Sequence, residues 1–452
     1  TAQCDVGAGE YKYRYVNIIN NGVLNFVDEG AETNFWAKSM LVESGGTLKA
    51  GDKSTAGAFG ANGGKLTIYL YGSKTDPDVE CKSPQQTSGV PCGIDRNVWG
   101  TNTLSDRSPT SCTPSTLPDG TMDCFYDYPD PQSSPEEGFF GSKVLAVSYN
   151  GTIQMYGSKG STYSAAPLAS SDSGTSWARL DTNGILNKGA TSLTVDTDVD
   201  WNIDDYIVLT TTDFLPGHSE KLKITGRTSS KEFSFVVVNP HTNEEMSGGL
   251  QYPHNGETFP VSTPIRLDQK ITEAETRAAV ALLSRSIRVV SYGNTVDQEF
   301  GPPTPGNYFG GHMMIRQGVK LAEIQGVEFY QLGQGGIKGR YPVHLHLLRK
   351  TAATTIQDNS IHDSMTRWIT LHGTQGVTLA RNVGYMSIGH GYYLEDGTET
   401  DNKLYSNIGI LARAAIKNEQ NPREVPGILA YTVDKRGATT DVPYRSDYIQ
   451  PT

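Results

Sequence analysis

The chain has 452 residues, a formal net charge of −11, 36% hydrophobic residues and 49 glycines. That acidity argues against general nucleic-acid binding, and no apolar run approaches the roughly 20 residues that a membrane span needs. Abundant Gly, Ser, Thr, Asn and Tyr predict an all-β protein of extracellular type, long enough for several domains or one long repetitive one. The chain opens on Thr1 with no visible signal peptide, as expected of a mature secreted chain whose leader has been removed.

Residues 13–72 read as short alternating strands, at Tyr13 to Ile19, Ser39 to Glu43 and Lys65 to Tyr71, punctuated by Gly-Gly pairs at 45–46 and 63–64. Residues 73–138 break this pattern with Pro, Ser and Asp and hold four of the five cysteines, which predicts a disulfide-tied surface insertion. Local pairing favours Cys81–Cys92 and Cys112–Cys124 and leaves Cys4 odd, and none of the cysteines has zinc-knuckle spacing. Asn150-Gly151-Thr152 is a lone glycosylation sequon, weak support for secretion.

Strands resume at residues 143–147, 152–156, 192–195, 205–209 and 233–238. Thr272 to Ser284 fits either an amphipathic helix or a buried strand. Beyond residue 275 a loose period emerges. The apolar segments His312–Ile315, Val343–Leu347, Ile369–His372 and Tyr392–Glu395 are each followed by a second one, Ala322–Phe329, Thr354–Ile361, Val377–Val383 and Leu404–Ile410. Turns on the order of 20–30 residues, with Asn and Gly at their corners, predict a right-handed parallel β-helix.

Six of the nine histidines fall between His312 and His390. This stretch carries eight Lys/Arg against four Asp/Glu, which leaves the rest of the chain at −15. A locally basic strip suits an anionic ligand and equally an ordinary solvated face. Alternate side chains share a strand face, so His344 and His346 point together, with Leu345 opposite. Stacked coils would align His372 with them, then Glu395 or Asp396, with His312 on the coil before and His390 close by. Imidazoles capped by a carboxylate suit a divalent metal held by His312, His344, His346 and His390. Zn²⁺ or Ni²⁺ fits better than Ca²⁺, which wants more oxygen ligands. The alternative is a ladder of half-buried, hydrogen-bonded histidines. His362 with Asp363 reads as a satisfied surface pair, and His218, His241 and His254 as loop residues.

Several segments resemble a known family. Residues 20–225 are similar to a G-eight domain, through Ser44-Gly45-Gly46, Leu66 to Gly72, Gly151 to Gly157, and Val199-Asp200-Trp201. Phe309-Gly310-Gly311-His312, Gly339-Arg340-Tyr341-Pro342-Val343-His344-Leu345-His346, Leu371-His372-Gly373 and Gly389 to Gly397 follow in the same order as in that family. The resemblance is to the G-eight-domain family of the cell-migration-inducing hyaluronan-binding protein, its transmembrane relative and fibrocystin. It covers most of the chain and lapses at 73–138. It implies a G-eight module at 1–225, stacked on or continuous with β-helix repeats at 226–452, and a role in binding or depolymerising hyaluronan outside cells.

Hyaluronan is a polyanion containing glucuronate. Hydrolysis would need paired carboxylates, which Glu395 and Asp396 supply if the Gly397 turn brings them together. β-Elimination would need the uronate carboxylate neutralised by Arg340 or a metal, a base such as His346 or His372, and an acid such as Tyr341. Arg340, Tyr341, Arg367, Tyr392 and Tyr393 are the expected substrate-binding residues. The sequence leaves open hydrolysis, elimination and binding without cleavage, the last suiting a cell-surface adhesion protein. It predicts a monomer with no organic cofactor.

Overall fold

The computed structural model describes residues 2–72, 113–116, 122–125, 140, 143–148, 150–163, 174–240, 242–261, 272–293, 309–335, 339–351 and 354–413. Most strands fall into three long parallel ladders that the chain visits in rotation, which makes a parallel β-helix. One sheet runs from Gln3–Val6 to Lys403–Tyr405 and the second from Gly9–Lys12 to Ile408–Arg413. The third, called here the histidine sheet, runs from Tyr15–Ile18 to Tyr392–Leu394. Inward Leu, Ile, Val, Met and Phe from all three sheets form one continuous core. Each such buried side chain contributes about 1.5–3 kcal/mol of transfer free energy.

The expected period holds: Met313 pairs with Val343, 30 residues on, Val343 with Ile369, 26 on, and Ile369 with Tyr392, 23 on. The segments read as single second strands each divide in two, however. Leu321–Gln325 and Val327–Tyr330 lie in different sheets, as do Thr378–Ala380 and Val383–Ile388. The break is a left-handed corner residue, Gly326, Asp358, Arg381 or Ser406. Such a conformation costs roughly 1 kcal/mol or more outside glycine. An asparagine ladder offsets it: Asn359 donates to Asn382 at 3.0 Å and Asn382 to Asn407 at 2.9 Å. Each amide also reaches a backbone carbonyl of the preceding strand.

The coils begin at residue 3, so the N-terminal segments are continuous with the later repeats. Two excursions leave the coil corners. The expected insertion lies between Lys65–Leu70 and Val144–Val147. Within it the described residues form a short hairpin, Thr113–Thr116 with Met122–Phe125. The pairings Cys81–Cys92 and Cys112–Cys124 rest on residues or side chains outside those described, and Cys4 is exposed and free.

The second excursion, between Thr152–Tyr156 and Ile287–Ser291, is an antiparallel sheet whose edges are Trp177–Arg179 and Ser192–Thr194. It has its own core around Trp201, Phe233 and Phe235. A boundary at 225 falls inside its strand Glu220–Arg227, so the physical division lies at the ends of this insert. Thr272 to Ser284 resolves as strand, because Ala279–Leu282 pairs on both sides within it. The insert packs Val208, Ala281 and Leu283 against Val383, Tyr385 and Ile410 of the second sheet. Among the described residues no helix is long and apolar enough to cross a membrane.

Candidate functional site

The histidine sheet positions the predicted cluster. In Val343–Lys350 the core takes Val343 and Leu345 and the outer face takes His344 and His346. Arg316 pairs with His346 and His346 with His372, so these three stand in one outward column. Just past the histidines both strands leave regular geometry. Leu347 and Arg349 take left-handed conformations and the register shifts between His346 and Arg349. Gly373 has φ +53°, a left-handed conformation that favours glycine, and a Cβ there would push aside a Leu347 methyl 2.7 Å away.

His344, His346 and His372 converge, with one nitrogen from each within 4.8 Å of the others. His344 is buried and donates Nδ1–H to the Gly339 carbonyl at 2.8 Å. That bond fixes its tautomer and leaves Nε2 as a bare lone pair, buried without a hydrogen-bond partner. His346 and His372 meet through their Nδ1 atoms at 3.0 Å, and His372 Nε2 lies 3.2 Å from Asp396 Oδ2. Burial holds His344 and His346 well below the usual imidazole range, and the neighbouring imidazoles and arginines depress them further. Both are therefore neutral, the state in which imidazole binds a metal.

Cations surround the trio. Arg316, Arg340 and Arg367 are all buried. The Arg367 guanidinium is clamped between the rings of Tyr341 at 4.1 Å and Tyr393 at 3.8 Å, with Glu395 Oε2 at 3.7 Å from its Nη1. Asp396 is held in place by Glu399, whose Oε1 accepts the N–H groups of Gly373 at 2.9 Å and Asp396 at 3.1 Å. Burial would raise the Glu399 carboxyl, but these donors hold it below its ordinary value. Sequence reasoning missed Glu399, because an acid that accepts backbone N–H groups across a turn leaves no spacing signal.

Four expected residues take other places. His312 lies outside the trio: it is fully buried, donates Nε2–H to the Phe140 carbonyl at 2.9 Å and pairs in register with Val144. His390 also lies outside it, stacked on Tyr393 at 4.5 Å; burial and Arg367 push it down to about 4. Tyr392 points inward, its hydroxyl donating to the carbonyls of Asn382 and Ile408, so it supports the coil and not a ligand. Tyr341 is buried beneath Arg367 and positions that guanidinium from below. The carboxylates of Glu395 and Asp396 are drawn apart, one toward Arg367 and the other toward His372. His362 and Asp363 are buried as well, not on the surface.

Fold and face together define a parallel β-helix protein with a histidine-rich site on one sheet. Residues 308–443, which contain all the site strands, match the family described as CEMIP beta-helix. The chain is 33% identical over 273 residues to a G8 domain-containing protein of Dictyostelium discoideum. It is 31% identical over 250 residues to the mouse cell migration-inducing and hyaluronan-binding protein, and 30% over 226 to human cell surface hyaluronidase CEMIP2. These alignments cover 60%, 52% and 47% of this chain but 15%, 16% and 14% of those relatives, so the chain spans a small part of their length. A solved tailspike protein, gp49 of Pseudomonas phage LKA1, aligns over 56% of this chain and 45% of its own at 7% identity, with a TM-score of 0.18. The chain is related to the G8-domain and CEMIP family, as its motifs implied.

Proposed function

We propose that the histidine face is an extracellular polysaccharide site that takes a uronic-acid polymer, hyaluronan foremost, and cleaves it by β-elimination. The observation that carries this reading is the convergence of three imidazoles, one of them buried and two held neutral, beside three buried arginines. The related proteins named for hyaluronan support the choice of polymer.

A divalent metal fits the donor set. His344 Nε2, His346 Nδ1 and His372 Nδ1 would hold it, with Gly339 and Asp396 fixing the outer nitrogens of His344 and His372. Tetrahedral zinc with bonds of roughly 2.0–2.1 Å places its ligand nitrogens about 3.3 Å apart. The 3.0 Å contact between His346 and His372 is close to that. Nitrogen ligands favour Zn²⁺ or Ni²⁺ over Ca²⁺. When bound, the ion would supply positive charge beside the sugar carboxylate.

The chain's own groups do the rest. Arg367, held rigid by two tyrosines, pairs with the uronate carboxylate and so acidifies the neighbouring C5–H. His390 lies next to Arg367 in the same stack, has a buried Nδ1 without a hydrogen-bond partner, and is deprotonated across the neutral range. It takes the C5 proton. The C4–O bond then breaks, the double bond forms between C4 and C5, and the departing oxygen takes a proton from the Tyr393 phenol. On this assignment the histidine trio binds and His390 reacts.

The test is incubation of the protein with size-defined hyaluronan, with and without Zn²⁺, Ni²⁺, Ca²⁺ or a chelator, following chain length and the absorbance of unsaturated ends. Shortening with new absorbance is the expected result. Shortening without it would reassign the chemistry to hydrolysis. Intact chains under every condition, with measurable affinity, would favour the adhesion reading, which the burial of His344 also supports.

A further inference from the structure

A cleft of about 620 Å³ opens between the lower coils and the antiparallel insert, on the second sheet and not the histidine sheet. Its floor is a column of outward side chains from four successive coils. Asn34 pairs with Thr67, Thr67 with Arg288, and Arg288 with Glu328. One coil further on, Ser360 opposes Glu328 but is fully buried, and its hydroxyl donates to the Leu283 carbonyl. The cleft therefore ends where the insert docks, and the insert turn at residues 202–206 forms its roof.

The lining is polar and electrically balanced. Four cationic side chains face four carboxylates, and several are already paired: Lys159 with Asp205 at 2.6 Å, Arg288 with Glu328 at 2.9 Å, and Lys223 outside the cleft with Asp204 at 3.2 Å. Among the described residues neither the Asn34 amide nor the Thr67 hydroxyl has a partner within the chain. The buried Arg285 spends its Nε and Nη1 on backbone carbonyls and leaves Nη2 without one. Tyr69, stacked on Trp36 at 3.8 Å, makes one wall rigid.

We propose that this cleft is a second glycan site, separate from the histidine face, for a neutral oligosaccharide segment. The volume lies within the range of small-ligand sites, roughly 300–1,000 Å³. Successive coils present polar groups about 4.8 Å apart, comparable to the length of one pyranose ring. Amide, hydroxyl, guanidinium and carboxylate groups in a row match the alternating donors and acceptors of vicinal sugar hydroxyls. Sugar hydroxyls entering the cleft would supply partners to the Asn34 amide and the Thr67 hydroxyl. A phosphate or uronate is not favoured over a neutral sugar, because the lining carries as many carboxylates as cations.

The experiment is calorimetric titration of the whole chain with chitotriose, cellotriose, mannotriose and a hyaluronan tetrasaccharide. At least one neutral trisaccharide should bind saturably, with an affinity that salt leaves unchanged. The double variant Asn34→Ala/Thr67→Ala should weaken it about tenfold, since two hydrogen bonds are lost. Its melting temperature should stay that of the parent, because neither side chain is bonded within the fold. Should the melting temperature fall, Asn34→Ala alone, at a half-buried position, takes its place and should still weaken binding severalfold. No saturable binding by any neutral trisaccharide, or binding that both variants leave intact, overturns the proposal. So does a site that takes the hyaluronan tetrasaccharide in preference and loses it in the double variant.

Discussion

Two regions of this protein contain the same ingredients, buried histidines, carboxylates and arginines, and use them to opposite ends. On the second sheet, His362 Nδ1 lies 2.8 Å from Asp363 Oδ2 and its Nε2 faces Glu328 Oε1 at 3.4 Å. Glu328 is forked by Arg288 at 3.0 and 2.9 Å, and Lys221 reaches Asp363 at 3.5 Å from the insert. Burial alone would raise Asp363, but Lys221 and His362 bring it down to about 2. In this network each charge faces an opposite one beneath the docked insert, so it serves as a lock. On the histidine sheet, His344 Nε2 has no hydrogen-bond partner, and the His344 and His346 imidazoles are held neutral by burial and by neighbouring arginines. What separates the lock from the site is closure: the first network is sealed beneath the docked insert, and the second keeps a bare lone pair beside the half-buried His346 and His372.

The largest effect should come from breaking the lock. Asp363→Ala leaves Lys221 and His362 buried without their carboxylate and should cost about 3–5 kcal/mol of unfolding free energy in chemical denaturation. His372→Ala removes a half-buried group from the open site and should change that free energy by less than about 1 kcal/mol. Equal losses in the two variants would erase the distinction drawn here.

Next comes function at the open site. His344→Ala should lower hyaluronan shortening by at least about a hundredfold, and a chelator should do the same to the parent protein, with folding intact by circular dichroism. An enzyme indifferent to both would remove the metal from the proposal. Asp396→Asn should act more gently. It keeps the size of the side chain but weakens the hold on His372 Nε2, so metal affinity measured by competition with a chelating dye should fall about 10–100-fold. An unchanged affinity would reduce Asp396 to a surface contact.

How much of this was legible in the sequence follows the same divide. Alternation within Val343 to His346 places two histidines on one face before any fold is known, because a period of two admits no other arrangement. The stacking of His372 on His346 was legible from the coil period. The corners were not. Asp358-Asn359 and Arg381-Asn382 read as strand, since nothing local marks a left-handed non-glycine residue that an asparagine from the next coil supports. Coil alignment puts His312 on the coil before the cluster, but Met314 and not His312 opposes His344, and His390 precedes its strand Tyr392–Leu394, so neither reaches the trio. In the local sequence the lock reads as a surface pair, because the insert that buries it is supplied by residues more than a hundred positions earlier. Closure by a distant segment leaves no trace in the local pattern.

The smallest predicted effect also separates the two regions, through pH. His312, His344 and His346 have folded pKa values below the unfolded value of 6.5, so between those limits the unfolded chain binds protons that the folded chain refuses. Their contribution is fully favourable above about pH 6.5 and is lost as pH falls below it, at about 1.4 kcal/mol per pH unit for each proton. The lock behaves differently: Asp363, lowered to about 2, keeps its favourable contribution until pH falls through the carboxylate range. Loss of stability between pH 6.5 and 5 should therefore come from the histidine sheet. Unfolding free energies measured across that window, in metal-free buffer, should fall less steeply in His312→Gln than in the parent. The difference should be about 1.4 kcal/mol per pH unit, because one group that refuses a proton has been removed. Parallel slopes would mean that His312 already takes its proton in the folded state and that the burial of this face is less complete than its geometry requires.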